Sequence, residues 1–241
     1  MATDPSIDPE RFPVGPAVPG WTPRPRPGRT AIDDRWARVE PLDPLRHGPA
    51  IHAANATDPG GMWTWMPYGP FAGLDAWLAW ATPFAAADDP LAFAIVDRAT
   101  GLAAGVATLM SIVPEHGSIE LGNIALSPAL RRTRAGTEGL FLLMRAAFRL
   151  GYRRLEWKCD ALNAPSRAAA VRLGFRPEGT FRHHRVVKGH NRDSAWFSIV
   201  DEEWPSIEAA FERWLDPATF RADGTARERL SILTAAARAD G

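Results

Sequence analysis

The stretch SIELGNIALSPALRRTRAGTEG, residues 118–139, decides the fold of this 241-residue chain. It predicts a strand over Ser118–Leu126, then a loop that begins with proline and carries three arginines, then an amphipathic helix over Thr137–Leu150. The first turn of a helix has N–H groups without intrahelical partners and a partial positive charge. With the forked donors of arginine, these groups favour a bound phosphate. The residues therefore indicate a diphosphate ligand at this junction, the alternative being a solvated arginine-rich loop.

Strands and helices alternate irregularly on both sides of this stretch. The patterns predict further strands over 35–42, 91–97, 102–113, 153–159, 179–187 and 194–200, and helices over 44–55, 74–86, 164–173, 202–214 and 224–238. This order predicts an α/β (α+β) layered domain with a mixed, partly antiparallel sheet. We divide the chain into a proline-rich arm (1–30), one domain (31–215) and a C-terminal helical extension (216–241). The arm either lies extended, anchored by Phe12, Val14, Val18 and Trp21, or is a loose tail.

Composition excludes several classes of protein. The chain has 46% hydrophobic and 23% charged residues, which is typical of a globular protein with a buried core. The net charge of zero does not suggest a nucleic-acid partner. No apolar run reaches about 18 residues, so no membrane span is expected, and the N-terminus does not resemble a signal peptide. A single cysteine, Cys159, forms no intrachain disulfide, so a cytoplasmic location is the expectation.

Two motifs resemble the GNAT superfamily of N-acetyltransferases. Pro128, Arg131 and Gly136 match its motif A, while Arg134 stands where the first glycine is usual. A second motif resembles the branch of the Rim-type (ribosomal-protein N-terminal) acetyltransferases, and it comprises NAPSR at 163–167 and RLGF at 172–175. The stretches EWKCDALNAPSRAAAVRLGF, VVKGHNRDSAWFS and MWTWMPYGPF are also similar to that branch. The resemblance covers residues 35–205. It implies the GNAT fold, with a mostly antiparallel sheet that is splayed at a β-bulge, and acetyl-CoA as co-substrate without a metal.

The resemblance also implies a set of cofactor-binding residues. Backbone groups on the strand before the loop would pair with the pantetheine arm, and a bulge there would free the Ile124 N–H to stabilise the oxyanion. Asn163 would bond the pantetheine amide or, alternatively, only cap a helix. Arg167 would meet the phosphates or be solvated. The complete set is Ile124, Ala125, Leu126, Arg131, Arg132, Thr133, Arg134, Ala135, Gly136, Thr137, Asn163 and Arg167.

Two residues are candidates for catalysis. An amine is mostly protonated at neutral pH and must lose a proton before it attacks. Glu120 lies on the opposite strand face from Ile119 and Leu121, so it is a candidate general base; the alternatives are a surface glutamate and an anchor for the substrate ammonium. Many GNAT enzymes have a tyrosine where this chain has Ala170. The Rim-like branch has a serine, which maps onto Ser166 as the partner of the leaving thiol.

The aromatic loop MWTWMPYGPF supplies candidate acceptor-binding residues, namely Trp63, Trp65 and Tyr68. Aromatic faces could hold a cationic amine, although core packing is the alternative. His183 and His184 are adjacent in a predicted strand and should point to opposite faces, which argues against a shared metal ion. Cys159 reads as a core residue.

These residues predict direct acetyl transfer to the primary amine of a small molecule, amino acid or short peptide. The alternatives are an N-terminal protein acetyltransferase and a coenzyme A-binding sensor module without catalysis. A protein acceptor needs an open cleft, whereas a small molecule suits one that the aromatic loop and the C-terminal extension close. The oligomeric state stays open, with a homodimer among the alternatives.

Overall fold

The computed structural model describes residues 12–59 and 61–239, which form one eight-stranded sheet with helices on both faces. The strand order is β1-β2-β3-β4-β5-β6-β8-β7, and every neighbouring pair is antiparallel except β5 and β6. The strands are β1 (Ile32–Asp33), β2 (Ala37–Pro41), β3 (Leu91–Asp97), β4 (Leu102–Val113), β5 (Ser118–Leu126), β6 (Arg154–Asp160), β7 (Arg176–Val187) and β8 (His190–Val200). The helices are α1 (Pro44–Asn55), α2 (Leu74–Ala86), α3 (Arg134–Arg149), α4 (Ala164–Arg172), α5 (Trp204–Leu215) and α6 (Leu230–Ala239). The predicted mixed, mostly antiparallel sheet is confirmed.

Two apolar cores lie on opposite faces of the sheet. The larger core joins α3, α5 and the strands β5, β6 and β8, with Phe141, Leu155 and Phe211 fully buried. The smaller core packs α1 and α2 on β3 and β4 through Ile51 and Trp77. The sheet is therefore the middle layer of three, as apolar residues on both of its faces require.

A β-bulge opens the sheet between β5 and β6, as expected. The β4–β5 register shifts between Val106 and Thr108, and Asn123 has a left-handed φ of 48°. β5 pairs with β6 only from Ser118 to Glu120. Beyond Glu120 the two strands separate, and this leaves a V-shaped cleft beside the carboxyl-terminal half of β5.

Four predicted boundaries were wrong by three residues or more: strand β7 begins at Arg176 rather than Gly179, and the other three have a local reason. Helix α3 begins at Arg134 rather than Thr137, because the Thr133 hydroxyl accepts the Gly136 N–H at 3.0 Å and caps the helix earlier. The hairpin turn is only Lys188–Gly189, both with positive φ, so β8 starts at His190. Helix α6 begins at Leu230 rather than Gly224, which has a φ of 81° in a turn.

The arm and the C-terminal extension both pack on the domain. Trp21 anchors the arm, since its indole N–H donates to the Glu115 carbonyl at 2.9 Å. Phe12, Val14 and Val18 are 63%, 58% and 46% exposed, so Val14 and Val18 do not give the anchoring expected of them, and residues 1–11 lie outside the described residues. Helix α6 packs on α4 and α5. Within the described ranges, no helix combines the length and the apolar character that a membrane crossing requires.

Candidate functional site

The loop before α3 presents unpaired backbone donors. Within the described ranges, no acceptor pairs with the N–H groups of Arg132, Arg134 or Ala135. Arg132 has a φ of 61°, which turns the chain sharply into the helix. A Cβ on Gly136 would lie 2.1 Å from the Leu130 carbonyl oxygen, so only glycine allows the loop to close so tightly on the helix. The free donors at a helix N-terminus fit a diphosphate.

Two of the three loop arginines have partners within the protein. Arg131 donates from Nε to the Leu126 carbonyl at 2.9 Å and pairs with Asp58 of the α1–α2 loop. The guanidinium of Arg134 lies between two aromatic rings, those of Trp36 and Phe220. Both side chains therefore brace the loop. Arg132 is exposed and has no carboxylate partner in the described part of the chain.

Arg172 is a residue whose position sequence reasoning missed. It ends α4 and reaches toward α3, where its Nη1 lies 3.4 Å from the Thr137 hydroxyl. Burial and the nearby Arg132 lower its pKa, and no carboxylate in the described residues lies within 4.0 Å. Two cations without an acid between them favour an anion beside the α3 N-terminus. Arg172 belongs to the stretch RLGF at 172–175, but the sequence does not show that its side chain points toward α3.

Glu120 lies in the cleft as part of a charged network. It is 6% exposed, and its Oε2 accepts from the Ser111 hydroxyl and the Lys158 ammonium, each at 3.0 Å. Lys158 also pairs with Glu156 at 2.8 Å and lies 4.0 Å from the Trp196 ring centroid. The reading as an exposed surface glutamate is wrong, because this carboxylate is buried. Lys158 was missed because alternation alone does not show which strands are neighbours.

Ser166 lies in the first turn of α4 and contacts side chains of β6. Its hydroxyl accepts from the Trp157 indole N–H at 3.1 Å and bonds the Cys159 thiol. The Asn163 side-chain oxygen Oδ1 accepts the Ser166 N–H at 3.0 Å, so Asn163 caps α4. Cys159 is buried as expected, and burial raises the pKa of its thiol. Arg167 is exposed and donates to the Ala161 carbonyl.

The aromatic loop packs mainly on α2. Tyr68 stacks near Trp80 at 4.4 Å between ring centroids and also contacts Trp63 and Phe71. Burial strongly raises the pKa of Tyr68, and its hydroxyl has no partner among the described residues. Trp63 contacts Phe71 as well, whereas Trp65 has no aromatic neighbour in the described ranges. Packing therefore explains Tyr68 and the Trp63 ring.

The tip of the β7–β8 hairpin reaches the aromatic loop. The Lys188 ammonium donates to the Trp63 carbonyl at 2.7 Å and so bridges the two segments. His183 has a left-handed φ of 51° within an irregular part of β7, so the regular alternation expected of the two histidines is wrong. No group of three His, Cys, Asp or Glu side chains within residues 12–59 and 61–239 is arranged to hold a metal ion.

Comparisons with known proteins agree with this geometry. Residues 38–176 match the acetyltransferase (GNAT) domain family. A GCN5-related N-acetyltransferase from Brucella melitensis is 44% identical, with a TM-score of 0.88 over 90% of this chain and 100% of that one. A "probable acetyltransferase (GNAT family)" from Chromobacterium violaceum is 42% identical, with a TM-score of 0.75 over 80% of this chain and 97% of that one. A ribosomal-protein alanine acetyltransferase from Vibrio fischeri shares the fold at 15% identity, with a TM-score of 0.57 over 73% and 98% of the two chains. No curated protein matches significantly.

Proposed function

This chain belongs to the GNAT acetyltransferase family and is an acetyl-transferring enzyme, and we propose that its acceptor is the primary amine of a small molecule, amino acid or short peptide. The observation that carries this choice is the bridge from Lys188 to Trp63. It joins the hairpin to the aromatic loop, which would narrow the approach to the cleft. A narrow approach favours a small or extended acceptor over a folded protein surface. Within the described residues, the C-terminal helix packs on α4 and α5.

The residues present fit acetyl-CoA, which supplies an activated acyl group when it is bound. The free N–H groups of Arg132, Arg134 and Ala135 would hold its diphosphate. The carboxyl-terminal half of β5, which does not pair with β6, would pair with the pantetheine arm, and we assign the Ile124 N–H to the thioester carbonyl. The carbonyl of Leu126 already accepts from Arg131, so Ile124 and Ala125 carry most of this pairing.

Glu120 is the proposed proton acceptor. Its carboxylate is held by Lys158 and Ser111, which fixes its orientation toward the cleft. It would receive the ammonium proton of the acceptor directly or through one water molecule. The Ser166 hydroxyl accepts from Trp157 and bonds the Cys159 thiol, so its contact with the leaving sulfur would replace the bond to Cys159. Bringing both reactants into one cleft supplies much of the rate acceleration.

An acceptor screen that measures coenzyme A release tests this function. The panel contains small amines, amino acids, short peptides and a folded protein with a free N-terminus. We expect turnover of the small acceptors and little of the folded protein, whereas the reverse order would contradict the proposal. Glu120→Gln should lower kcat/KM by about 10²–10³-fold and alter the pH–rate profile. Glu212→Gln, on the exposed side of α5, is the matched control. An unchanged pH–rate profile in Glu120→Gln would remove Glu120 from this role.

A further inference from the structure

Arg192 is a half-buried cation without a counter-ion. Its Nε donates to the Ser194 hydroxyl at 3.2 Å, and no carboxylate among the described residues lies within 4.0 Å of its guanidinium. Burial and the neighbouring Arg185 lower its pKa, since both disfavour the charged form, and the more distant charges of Asp160 and Glu120 oppose them only in part. A half-buried charge without a carboxylate in direct contact is costly, so the arrangement favours an anionic ligand.

The same strand carries a second unsatisfied donor. The Trp196 indole N–H is buried and has no hydrogen-bond acceptor in the described part of the chain. Its ring lies beside Phe181 and His184, with centroids 4.6 and 6.0 Å away. Buried donors are normally paired, so this group also requires an acceptor atom. Arg192 and Trp196 are both on β8 and four residues apart, which places them on one face of the sheet.

The register places these donors across the cleft from Ile124. Glu120 pairs with Glu156 in the parallel β5–β6 ladder. Ile124 and Asp160 each lie four residues further along their strands, so they lie at nearly the same height along the sheet, apart from the one residue that the bulge adds to β5. Asp160 in turn pairs with Ser194, whose hydroxyl holds Arg192. Directly paired residues share a face, and Lys158, paired with Trp196, contacts Glu120. The Arg192 site therefore opens on the face of Glu120, at the level proposed for the thioester.

We propose that Arg192 and the Trp196 indole N–H bind a carboxylate of the acceptor, so that the substrate class is an amine that carries a carboxylate. The inference rests on the proposed function and narrows it to amino acids and peptides with a free C-terminus. Arg192 presents a forked set of donors that matches a carboxylate. His184 lies 2.9 Å from Ser194 through its Nδ1 and completes the support of that hydroxyl.

The charge of the hairpin supports an anionic acceptor. Residues 179–193 contain four Arg or Lys side chains and one acidic residue, Asp193, whose carboxylate accepts the His183 N–H. Arg185 pairs with Arg192 across the hairpin, and Lys188 lies at the hairpin tip on the bridge to Trp63. Such a patch attracts anions before they bind.

The test compares matched acceptors that differ only in this charge. β-Alanine, L-phenylalanine and alanylphenylalanine are each assayed beside the corresponding carboxamide, with coenzyme A release as the readout. A carboxamide has the less basic amine, so amine deprotonation alone would favour it. We expect the wild type to prefer each carboxylate by at least about tenfold in kcat/KM. Arg192→Gln should reduce that preference by about 10–100-fold, mainly through KM, with carboxamide turnover and acetyl-CoA affinity unchanged.

Two further variants test whether Arg192 recognises the carboxylate or affects the enzyme in general. Arg182→Gln removes the same charge from an exposed position of the hairpin and should keep most of the preference. Trp196→Phe keeps the ring but removes the N–H donor, and it should reduce the preference several-fold. Equal use of carboxylate and carboxamide by the wild type, or an equal loss of both in Arg192→Gln, would overturn the inference alone. No turnover of any pair would overturn the proposed function and the inference with it.

Discussion

The Arg134 guanidinium stacks on the Trp36 ring, with 4.0 Å between the guanidinium carbon and the ring centroid. Phe220 covers the same guanidinium from the C-terminal extension at 4.6 Å. Arg134 stands where motif A of the family usually has glycine, and the structure gives a reason: the side chain joins the first helical turn of α3 to two distant segments. These contacts hold the first turn of α3 against both segments.

Replacing Arg134 with glycine should therefore separate stability from cofactor binding. We expect Arg134→Gly to lower the free energy of unfolding by about 1–3 kcal/mol, because two cation–π contacts are lost. Trypsin should also cleave the segment after Phe220 faster. Acetyl-CoA affinity should stay within about threefold, as measured by calorimetry. A tenfold or greater loss of affinity with unchanged stability would show instead that Arg134 contacts the phosphates.

Gly136 should tolerate no side chain. A Cβ there would meet the Leu130 carbonyl oxygen at 2.1 Å, so Gly136→Ala must push the loop away from α3. We expect a loss of about 1–3 kcal/mol in stability and at least tenfold weaker acetyl-CoA binding. Gly179→Ala is the control, since nothing lies within 4 Å of a Cβ at that position. Wild-type affinity in Gly136→Ala would show that the loop conformation does not matter for the cofactor.

Arg172 should contribute to acetyl-CoA affinity more than to chemistry. Arg172→Gln removes a cation beside Thr137 that has no carboxylate partner in the described residues. We expect the Kd of acetyl-CoA to rise about 10–100-fold, while kcat at saturating acetyl-CoA stays within a few-fold. Arg149→Gln, exposed at the other end of α3, should change neither. A Kd like that of the wild type, with a lower melting temperature, would assign Arg172 to packing alone.

Glu138 should make the free energy of unfolding decrease as the pH rises. Its Oε2 accepts the N–H groups of Trp36 and Ala37 at 2.5 and 2.6 Å, and burial raises its pKa above the usual 4.5. The folded state then holds a proton more tightly than the unfolded state. The resulting stabilisation is complete below pH 4.5 and is lost as the pH rises through the folded pKa.

Urea denaturation of the wild type and Glu138→Gln at several pH values measures this effect. The neutral glutamine keeps an acceptor oxygen, so the wild type should lose stability relative to Glu138→Gln as the pH increases from about 4 to 7. Glu115→Gln, exposed on the β4–β5 turn, should show no such trend. A trend of the opposite sign would mean that the two N–H donors outweigh burial and lower the pKa.

Periodicity predicted the layers of this fold because the apolar patterns were local. Helices α1 and α2 and strands β3, β4 and β5 begin and end where the patterns placed them. The start of α3 was misplaced because Thr133 acts through one hydroxyl, which an apolar pattern does not register. Helix α6 was predicted too long because Gly224, which has a φ of 81° in a turn, was included in the helix.

The site was predictable in its backbone parts and not in its side-chain partners. Loop, bulge and cap follow from residues close in sequence. The aromatic partners of Arg134 are Trp36, which immediately precedes β2, and Phe220 in the C-terminal extension. Lys158, which pairs with Glu120, lies on the neighbouring strand β6. Such pairings depend on tertiary register, which no local pattern contains. Arg192 was overlooked for the same reason, since its missing counter-ion is visible only once its neighbours are known.

Strand β7 is the last strand of the sheet and, among the described strands, pairs only with β8. The hairpin that carries the acceptor-side residues is therefore a peripheral module, whereas the groups proposed for the cofactor come from 124–137 and 163–172 near the middle. Exchanging residues 179–193 for the equivalent hairpin of the Brucella relative would leave the central ladder intact. In an engineering setting, this edge is the place to recombine specificities between homologues without rebuilding the catalytic scaffold.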